Sequence, residues 1–308
     1  MRIGIGVGEI ANQPATVDDL IEQVKSAERD GFASAWFANI FGMDAMTACV
    51  LAGRESTRIE LGTAVVPTYS RHPVYMAQQA LSTSAACGGR FALGIGLSHQ
   101  IVIESMLGLS WAKSYTHMKE YVAVLNPLFR DGQVSHQGTE YRVQAQVKVT
   151  GAKPPPILLA ALAPKMVALA GAQTQGTITW MTGPKTLKEY LVPRINDAAA
   201  KAGQPAPRVV CGLPISICDD PKAARERAAQ TFQVYGFLPS YRAMLDREGA
   251  EGPADVAIVG DEKAVGGELD RLAEAGVTDF LAAIFPGDGA GRASVARTRD
   301  FLIRRARG

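Results

Sequence analysis

The sequence predicts an α/β fold, a closed (β/α)8 TIM barrel formed by a single domain over residues 1–308. Eight times along the chain, a short apolar run is followed by an amphipathic stretch of helical period. The runs are apolar almost throughout, which is typical of parallel strands that are covered on both faces. No low-complexity linker divides the sequence, and no Gly-x-Gly-x-x-Gly fingerprint with a following acidic residue indicates an open dinucleotide-binding sheet. These observations favour the closed barrel.

Caps and turns define the first four units. Thr16 is a suitable N-cap for the first helix, and Asp30-Gly31 ends it. Pro73 lies in the first turn of the third helix, where proline is favoured. The polar stretch 131–150 predicts a hairpin, an insertion after the fourth strand and its helix. The predicted strands are 2–8, 34–39, 59–67 and 91–98, and the predicted helices are 17–29, 44–54, one beginning at 73, and 115–129.

The second half repeats the alternation with one large interruption. Three consecutive prolines, 154–156, precede the fifth strand, and a mostly helical insertion, 221–248, follows the seventh strand. The predicted strands are 157–162, 176–181, 208–218 and 278–285, and the predicted helices are 164–172, 184–202, 261–275 and 291–305.

Composition excludes several classes of protein. A formal net charge of +2 with interspersed acids and bases argues against a nucleic-acid-binding surface. No apolar run is long enough to span a membrane, and the N-terminal stretch has the pattern of a buried strand, not of a signal peptide. The four cysteines are scattered without metal-ligand spacing, so we expect buried, reduced thiols and a cytoplasmic protein.

The residues at the carboxyl ends of the predicted strands are mainly small, apolar and aromatic. In a (β/α)8 barrel these strand ends carry the active site. They contain no cluster of histidines and carboxylates for a metal ion, and no carboxylate pair for glycoside hydrolysis. Ser98 has no histidine and acid at nucleophile spacing, which argues against a serine hydrolase. The pattern indicates a flat, mostly apolar cofactor that brings its own chemistry.

The sequence resembles the luciferase-like monooxygenase superfamily, and within it the branch of coenzyme F420-dependent (deazaflavin) oxidoreductases. The resemblance lies in IELGTAVVP (59–67), RHP (71–73) and GGRFALGIG (88–96), supported by AWFANIFGMD (35–44) and TITWMTGP (177–184). The segments VGD (259–261) and GVTDF (276–280) extend it over essentially the whole chain.

This resemblance implies that the cofactor occupies the barrel mouth, with F420 expected and FMN as the alternative. It implies a non-prolyl cis peptide at Ala64-Val65 and a phosphate-holding loop at 160–164, although the loop departs here from the commoner glycine-rich form. The residues that it assigns to the cofactor are Asn39, Thr63, Ala64, Val65, Gly96, Leu97, Ser98, His99, Ala160, Ala161, Leu162, Ala163, Pro164, Thr179 and Trp180.

His99 is the main candidate catalytic residue. It stands where some family members carry an acidic residue beside the reacting ring carbon, and a histidine can exchange a proton near neutral pH. Asn39 and Ser98 are expected to assist it. The alternatives are a loop histidine that contacts no substrate and an Asn39 that only caps the following loop. Trp36 is interpreted as barrel packing, and Trp180 as a wall of the pocket.

Other polar residues receive structural interpretations. His72 is expected at a helix entry or at an anion, and His117 and His136 are expected on the solvated surface. Lys165 and Arg71 lie near the predicted phosphate loop, where they either meet an anionic cofactor tail or remain solvated.

The leading functional hypothesis is an oxidoreductase that transfers a hydride between F420 and a small organic substrate, acting as a reductase that uses the reduced cofactor. The alternatives are an FMN-dependent monooxygenase and a non-catalytic barrel that binds a flavin-type ligand. The aromatic residues of the 221–248 insertion are expected to line the substrate side, or else to form core or a dimer surface. By analogy with the family we expect a homodimer.

Overall fold

The computed structural model describes residues 1–8, 15–287 and 292–307, the last range without the side chain of Arg292. The predicted start of the last helix, at 291, lies outside these residues. The strands are β1 (Arg2–Val7), β2 (Ser34–Phe37), β3 (Glu60–Thr63), β4 (Val66–Pro67), β5 (Phe91–Gly96), β6 (Gln133–Gln137), β7 (Arg142–Gln146), β8 (Ile157–Leu159), β9 (Gly176–Trp180), β10 (Arg208–Ile217), β11 (Ile258–Gly260) and β12 (Asp279–Ile284).

The helices follow the barrel strands as predicted. A π-helical turn, Leu187–Leu191, joins the sixth and seventh helices into one continuous segment. The helices are α1 (Val17–Asp30), α2 (Ala45–Arg54), α3 (Pro73–Ala86), α4 (Ser114–Asp131), α5 (Pro164–Gln173), α6 (Pro184–Thr186), α7 (Val192–Lys201), α8 (Pro221–Thr231), α9 (Pro239–Glu248), α10 (Glu262–Glu274) and α11 (Arg292–Arg307).

The main sheet closes into a parallel barrel. β1 pairs with β2 on one side and with β12 on the other, and parallel pairing continues through β3, β5, β8, β9 and β10 back to β12. β4 continues the third strand position by pairing with β5, and β11 extends β10 outside the ring. The predicted (β/α)8 barrel is therefore confirmed, and β11 is a strand that the sequence analysis did not assign.

The first two helices begin and end within one residue of their predicted bounds, and the third begins where predicted. The side chain of Thr16 accepts from the backbone N–H of Asp19, the Asp19 carboxylate accepts from Thr16, and Gly31 ends α1 in the left-handed region. His72 accepts from the backbone N–H of Val74 at 3.3 Å, and Pro73 begins α3. His72 is thus a helix-entry residue, one of its two predicted roles.

The predicted third strand, 59–67, is interrupted. A cis peptide bond joins Ala64 and Val65 between β3 and β4, as the family resemblance implied. The other predicted strands also extend one to three residues too far at their carboxyl ends. Some of these residues still donate to a neighbouring strand, as Ala160 does to the Ile95 carbonyl and Phe285 to the Ile215 carbonyl.

Trp36 fills the lower part of the barrel interior. It is fully buried, and its indole N–H donates to Ser34 Oγ at 2.9 Å. A Cβ at Gly62 would lie 2.3 Å from the indole ring, so the glycine leaves the space that this side chain needs. The interpretation of Trp36 as packing is confirmed. The same interior cluster contains Ala92, Leu158, Ile178, Val210 and Leu281.

An ion-pair network closes the N-terminal end of the barrel. Asp279, which is 1% exposed, binds Arg208 at 2.7 Å and Arg2 at 3.1 Å. Arg208 also binds Glu60 at 2.9 Å. The network joins β1, β3, β10 and β12 across the barrel end opposite to the predicted mouth.

The 131–150 segment forms the predicted hairpin, with β6 antiparallel to β7. Burial alone would raise the pKa of Glu120 on α4, but backbone N–H donors of the hairpin, those of Tyr141, Thr139 and Glu140, lower it to about 2. The carboxylate therefore fixes the hairpin to α4.

His117 is not a surface residue, so that prediction was wrong. It is 5% exposed and stacks on Tyr69 with ring centroids 4.0 Å apart. Its Nε2 lies 2.9 Å from Thr68 Oγ1, and its Nδ1 lies 3.2 Å from the Tyr141 hydroxyl. The β6–β7 hairpin folds over this face of α4, a long-range contact that helical periodicity does not encode. His136, on the hairpin, is half-buried and lies 3.7 Å from Glu120.

All four cysteines are buried and none forms a disulfide bond, as expected. None of the helices in the described part of the chain is both long and apolar enough to cross a membrane.

Candidate active site

The floor of the barrel mouth is built by the bulge between β3 and β4. The Val65 side chain lies against two glycines of β5. A Cβ at Gly96 would lie 2.7 Å from Val65 Cγ2 and 3.1 Å from the Ala160 Cβ, and a Cβ at Gly94 would lie 1.9 Å from the carbonyl oxygen of Thr63. The strand can pass the bulge only because both positions are glycine. Ala64, Val65, Gly96 and Ala160 thus meet at a floor of small side chains.

Two of the predicted cofactor residues use their side chains within the protein. Thr63 Oγ1 donates to the carbonyl of Gly94 at 2.8 Å and accepts from its N–H at 2.9 Å. Thr179 alternates with Ile178, which faces the barrel interior, and its hydroxyl donates to the Val210 carbonyl at 3.4 Å. A cofactor could therefore meet these two threonines through their backbone.

Asn39 follows β2 and enters the mouth region half-buried. Its Oδ1 accepts from the backbone N–H of Ala45 at 3.0 Å, at the start of α2. The capping role that the sequence left open for Asn39 is therefore present. The amide NH2 group is the part of the side chain that remains for a ligand.

Leu97, Ser98 and His99 leave β5 as a half-buried segment. Ser98 has φ of 66°, a left-handed conformation that a non-glycine residue rarely adopts and that is common at functional sites. The backbone carbonyl of His99 accepts from Val102 at 2.9 Å and from Ile103 at 3.0 Å, which begins a π-helical segment. The sharp turn at Ser98 redirects the chain where the strand ends.

The His99 imidazole is partly enclosed. Burial lowers its pKa below the ordinary 6.5, so the ring is neutral at pH 7. Its centroid lies 5.4 Å from that of Tyr241 at an interplanar angle of 57°. Neither the Ser98 hydroxyl nor the His99 ring forms a hydrogen bond with any residue that the structure describes. Within the described part of the chain, neither polar group therefore has a hydrogen-bond partner.

A group of aromatic side chains stands beside His99. We call Trp180, Phe232, Tyr235 and Tyr241 the aromatic wall. Trp180 lies 5.7 Å from Tyr235 and 6.1 Å from Phe232 between ring centroids, and Tyr235 lies 5.3 Å from Tyr241. Trp180 ends β9, whereas the other three residues belong to the 221–248 insertion. The insertion therefore packs on the end of β9.

The predicted phosphate loop, Ala160, Ala161, Leu162, Ala163 and Pro164, leads into α5. The Ala160 N–H donates to the Ile95 carbonyl at 2.8 Å, and the Leu162 carbonyl accepts from the Tyr190 hydroxyl at 2.8 Å. Ala161 is fully buried, Leu162 half-buried, and the last two residues are exposed. No side chain caps the first turn of α5. Its backbone N–H groups therefore face outward without a protein side-chain acceptor.

Cationic side chains lie against Tyr190, whose hydroxyl donates to this loop, and against Tyr115. The guanidinium groups of Arg194 and Arg247 lie 5.2 Å and 4.2 Å from the Tyr190 ring centroid, and Lys165 Nζ lies 5.9 Å from that of Tyr115. Arg71, the other cation considered from sequence, is instead paired with Asp44. Sequence reasoning missed Arg194 and Arg247 because they come from distant helices and share no motif.

The described residues contain no group of three or more histidine, cysteine or carboxylate side chains that could hold a metal ion. The site offers small apolar surfaces, one neutral imidazole and hydroxyl donors. Such a site can position a planar ring and exchange a proton beside it.

Comparison with known proteins gives the family. The family model of luciferase-like monooxygenases matches residues 2–286. A putative coenzyme F420-dependent oxidoreductase of Mycobacterium tuberculosis is 28% identical over 94% of this chain and 86% of its own length. A 5,10-methylenetetrahydromethanopterin reductase of Methanolobus tindarius is 28% identical over 90% of this chain and 85% of its own.

A solved structure supports the fold. The coenzyme F420-dependent tetrahydromethanopterin reductase of Methanopyrus kandleri superposes with a TM-score of 0.80 at 21% identity, over 99% of both chains. The closed barrel, the bulge between β3 and β4 and the match of the family model over nearly the whole sequence lead to one conclusion. The chain belongs to the luciferase-like monooxygenase family of enzymes.

Proposed function

We propose that this protein is an oxidoreductase that uses coenzyme F420 and reduces a small organic substrate. The observation that carries the proposal is the barrel mouth itself, where a floor of glycine, alanine and valine lies beside a neutral, partly buried histidine. Two curated relatives, one named as a putative F420-dependent oxidoreductase and one as a methylenetetrahydromethanopterin reductase, support the same chemistry.

The residues present fit a planar tricyclic cofactor. A side chain at Gly96 would fill the space beside Val65, so the glycine keeps the floor flat. The buried Nε1 of Trp180 has no hydrogen-bond partner, although it lies close enough to the Tyr235 phenol to influence that group's pKa. An unpartnered buried donor at the mouth is a group that a polar cofactor edge or substrate could satisfy.

When bound, the deazaflavin would supply the hydride. Val65, Ala64 and Gly96 would support the ring through van der Waals contacts. His99 would hold or deliver the accompanying proton, and the Ser98 hydroxyl and the Asn39 amide would orient the substrate or the ring edge. The remaining predicted cofactor contacts, at Thr63, Leu97 and Thr179, would be made largely by backbone.

The anionic part of the cofactor would lie at the start of α5. The free N–H groups of its first turn favour a phosphate. Lys165, Arg194 and Arg247 add positive charge around this helix start. F420 carries carboxylates beyond its phosphate, and FMN does not, so three cations suit the longer anionic tail better.

The test is a direct comparison of cofactors. The purified protein is titrated with F420 and, separately, with FMN, and binding is followed by cofactor fluorescence. We expect F420 to bind at least tenfold more tightly. Tight binding of FMN without measurable binding of F420 would overturn the proposal.

An FMN-dependent monooxygenase is the second candidate, because the matching family model carries that description. Oxygen consumption distinguishes the two, since a monooxygenase loaded with reduced FMN would consume oxygen in step with substrate. A reductase loaded with reduced F420 would transfer its hydride to the organic substrate, and the cofactor would become oxidised even under nitrogen.

We further propose that residues 1–308 form one domain and that the protein self-associates. The ring of strand pairs runs from β1 to β12 and supports one unit. Large apolar side chains stand exposed near the strand ends, among them Phe41 at 64% and Phe237 at 76%, and support a protein contact there. Light scattering after size-exclusion chromatography measures the mass, and a monomer at micromolar concentration would contradict the dimer.

A further inference from the structure

The aromatic wall and His99 together bring side chains from three parts of the chain into contact. Trp180 comes from β9, Tyr235 and Tyr241 come from the insertion, and His99 comes from the loop after β5. Their rings form an unbroken series, with centroids 5.4 Å apart for His99 and Tyr241, 5.3 Å for Tyr241 and Tyr235, and 5.7 Å for Tyr235 and Trp180. The series joins the proposed catalytic histidine to the far side of the mouth.

The members of this series are partly buried side chains that pack against one another. Burial raises the pKa of the Tyr241 and Tyr235 phenols and lowers that of the His99 imidazole, so protein surrounds each of them. All four side chains nevertheless keep partial solvent exposure. The four rings are therefore enclosed by protein and still within reach of a ligand from solvent.

Donors on this surface lack acceptors. The Tyr241 hydroxyl forms no hydrogen bond with any described residue, and the buried Trp180 N–H has no hydrogen-bond partner. Tyrosine and tryptophan usually satisfy these groups when they are enclosed. The unpartnered donors therefore indicate a ligand that carries a hydrogen-bond acceptor.

The surface carries no ionised side chain of its own. The nearest cation in sequence, Arg242, binds the Asp246 carboxylate at 2.7 Å and the carbonyls of Ala250 and Glu251 at 2.6 and 2.8 Å. All three nitrogens of its guanidinium group are therefore hydrogen-bonded within α9 and the turn that follows. A ligand with a full negative charge would find no free counter-ion on this wall.

We propose that the aromatic wall selects a neutral, planar, conjugated carbonyl compound as substrate, and that Tyr241 donates a hydrogen bond to its carbonyl oxygen. The rings favour a flat conjugated molecule through stacking and edge contacts. This inference adds a substrate class to the proposed function, and the reduction of that substrate rests on the proposed function. The binding itself depends only on residues of this chain.

The experiment measures binding without turnover. The protein is loaded with oxidised F420, which has no hydride to give to a ketone, and is titrated calorimetrically with acetophenone. Three matched probes each change one property: cyclohexyl methyl ketone is not planar, ethylbenzene lacks the acceptor, and benzoate is charged. We expect acetophenone to bind at least about fivefold more tightly than ethylbenzene, since a single hydrogen bond contributes roughly that factor. It should also bind more tightly than the non-planar ketone and than charged benzoate.

Variants assign the donor. Tyr241→Phe keeps the ring and should weaken acetophenone about fivefold to tenfold while leaving ethylbenzene unchanged. Tyr75→Phe, on the outer face of α3 where Tyr75 is 69% exposed, is the matched control and should change neither. If Tyr241→Phe does not fold, as judged by circular dichroism, Tyr241→Leu, which also lacks a hydrogen-bond donor, tests the same loss of the phenol.

The results that would overturn this inference differ from the result that would overturn the proposed function. Equal affinity for acetophenone and cyclohexyl methyl ketone, tighter binding of benzoate, or an unchanged affinity in a folded Tyr241 variant would each overturn this inference. If F420 does not bind at all, the proposed function fails instead. The same titrations are then run on the protein without cofactor, where the preference for acetophenone still decides the question.

Discussion

His99 combines two properties that are rarely found together on a loop. Its ring is sufficiently buried for its pKa to be lowered, yet it forms no hydrogen bond within the described residues. A histidine with a purely structural role would normally satisfy a ring nitrogen with a backbone or side-chain partner. We therefore propose the functional one of the two interpretations that the sequence left open.

Replacing His99 by glutamine should lower kcat for reduction about 10²-fold to 10⁴-fold, the usual contribution of a general acid or base. Glutamine retains hydrogen-bonding capacity but exchanges no proton at neutral pH. F420 affinity, measured by fluorescence, should change less than about threefold, since the ring would rest on the floor at Val65 and Gly96. An undiminished kcat in the variant would assign the proton to another group.

The pH dependence follows from the same residue. If His99 donates the proton during reduction, only its protonated form is active. Because its pKa lies below 6.5, that form is a minor one at pH 7 and grows as the pH falls. We expect kcat to rise between pH 8 and pH 6 in the wild type and to stay flat in His99→Gln. A wild-type rate that falls over this interval would contradict the assignment of His99 as donor.

The bulge between β3 and β4 shows what a single element contributes to the site. Sequence patterning predicted one continuous apolar strand, and only the family resemblance implied the break. The physical reason is visible at β5, where glycines accommodate Val65 and the Thr63 carbonyl. Periodicity records which residues are apolar, but not that two strands approach too closely for side chains.

Gly96→Ala should test this arrangement. Its Cβ would lie 2.7 Å from Val65 Cγ2, so Val65 must move into the space proposed for the ring. We expect F420 affinity to fall at least about tenfold, which corresponds to roughly 1.4 kcal/mol of binding free energy.

Gly267→Ala on α10 is the control, because nothing lies within 4 Å of its Cβ position. It should leave affinity unchanged and stabilise the helix by up to about 1 kcal/mol. Equal affinities in the two variants would show that Val65 does not support the cofactor.

α4 owes its orientation to contacts that the sequence did not reveal. His117 was expected in solvent, but the β6–β7 hairpin and the loop after β4 enclose it, with Tyr69 and Tyr141 against the ring. Burial lowers its pKa to about 4, against the opposing influence of the Glu140 carboxylate. The neutral ring therefore belongs to the folded state, and the unfolded chain binds the proton more readily.

The stability of the protein should depend on pH through His117. The pKa of His117 is about 4 in the folded protein and 6.5 in the unfolded chain. The contribution of the neutral ring to the free energy of unfolding is therefore complete above pH 6.5 and is lost as the pH falls towards 4. At pH 5 the expected loss in the free energy of unfolding is about 2 kcal/mol. In His117→Gln the difference between pH 8 and pH 5, measured by urea unfolding, should shrink by about this amount. Identical differences in the two proteins would contradict the assignment.

At the scale of the whole molecule, the sequence was sufficient for the barrel and for the location of the mouth. Eight apolar runs separated by amphipathic helices determine a closed parallel sheet, and strand ends then determine where ligands bind. The meeting of Tyr241 with His99 and the placement of Arg247 beside Tyr190 were not predictable. Both depend on how the insertion after β10 folds back over the mouth, which is a matter of long-range packing and not of local pattern.

The barrel separates stability from function along its axis, and Asp279 tests that separation. Its carboxylate is 1% exposed and binds Arg208 and Arg2 at the end opposite to the mouth. Asp279→Asn leaves two arginines without their buried partner, and such a loss costs about 3–5 kcal/mol. We expect urea unfolding to show this loss. In contrast, kcat and F420 affinity, measured below the unfolding transition, should remain within about twofold of wild type, since residues at the N-terminal end of a barrel serve stability.

Lys201→Ala, which removes an exposed ion pair with Asp197 on α7, is the control and should change the free energy of unfolding by less than about 1 kcal/mol. A folded Asp279→Asn protein that loses cofactor affinity would mean that the ion network shapes the mouth through the strands, and the two ends of the barrel would then have to be treated as one coupled unit.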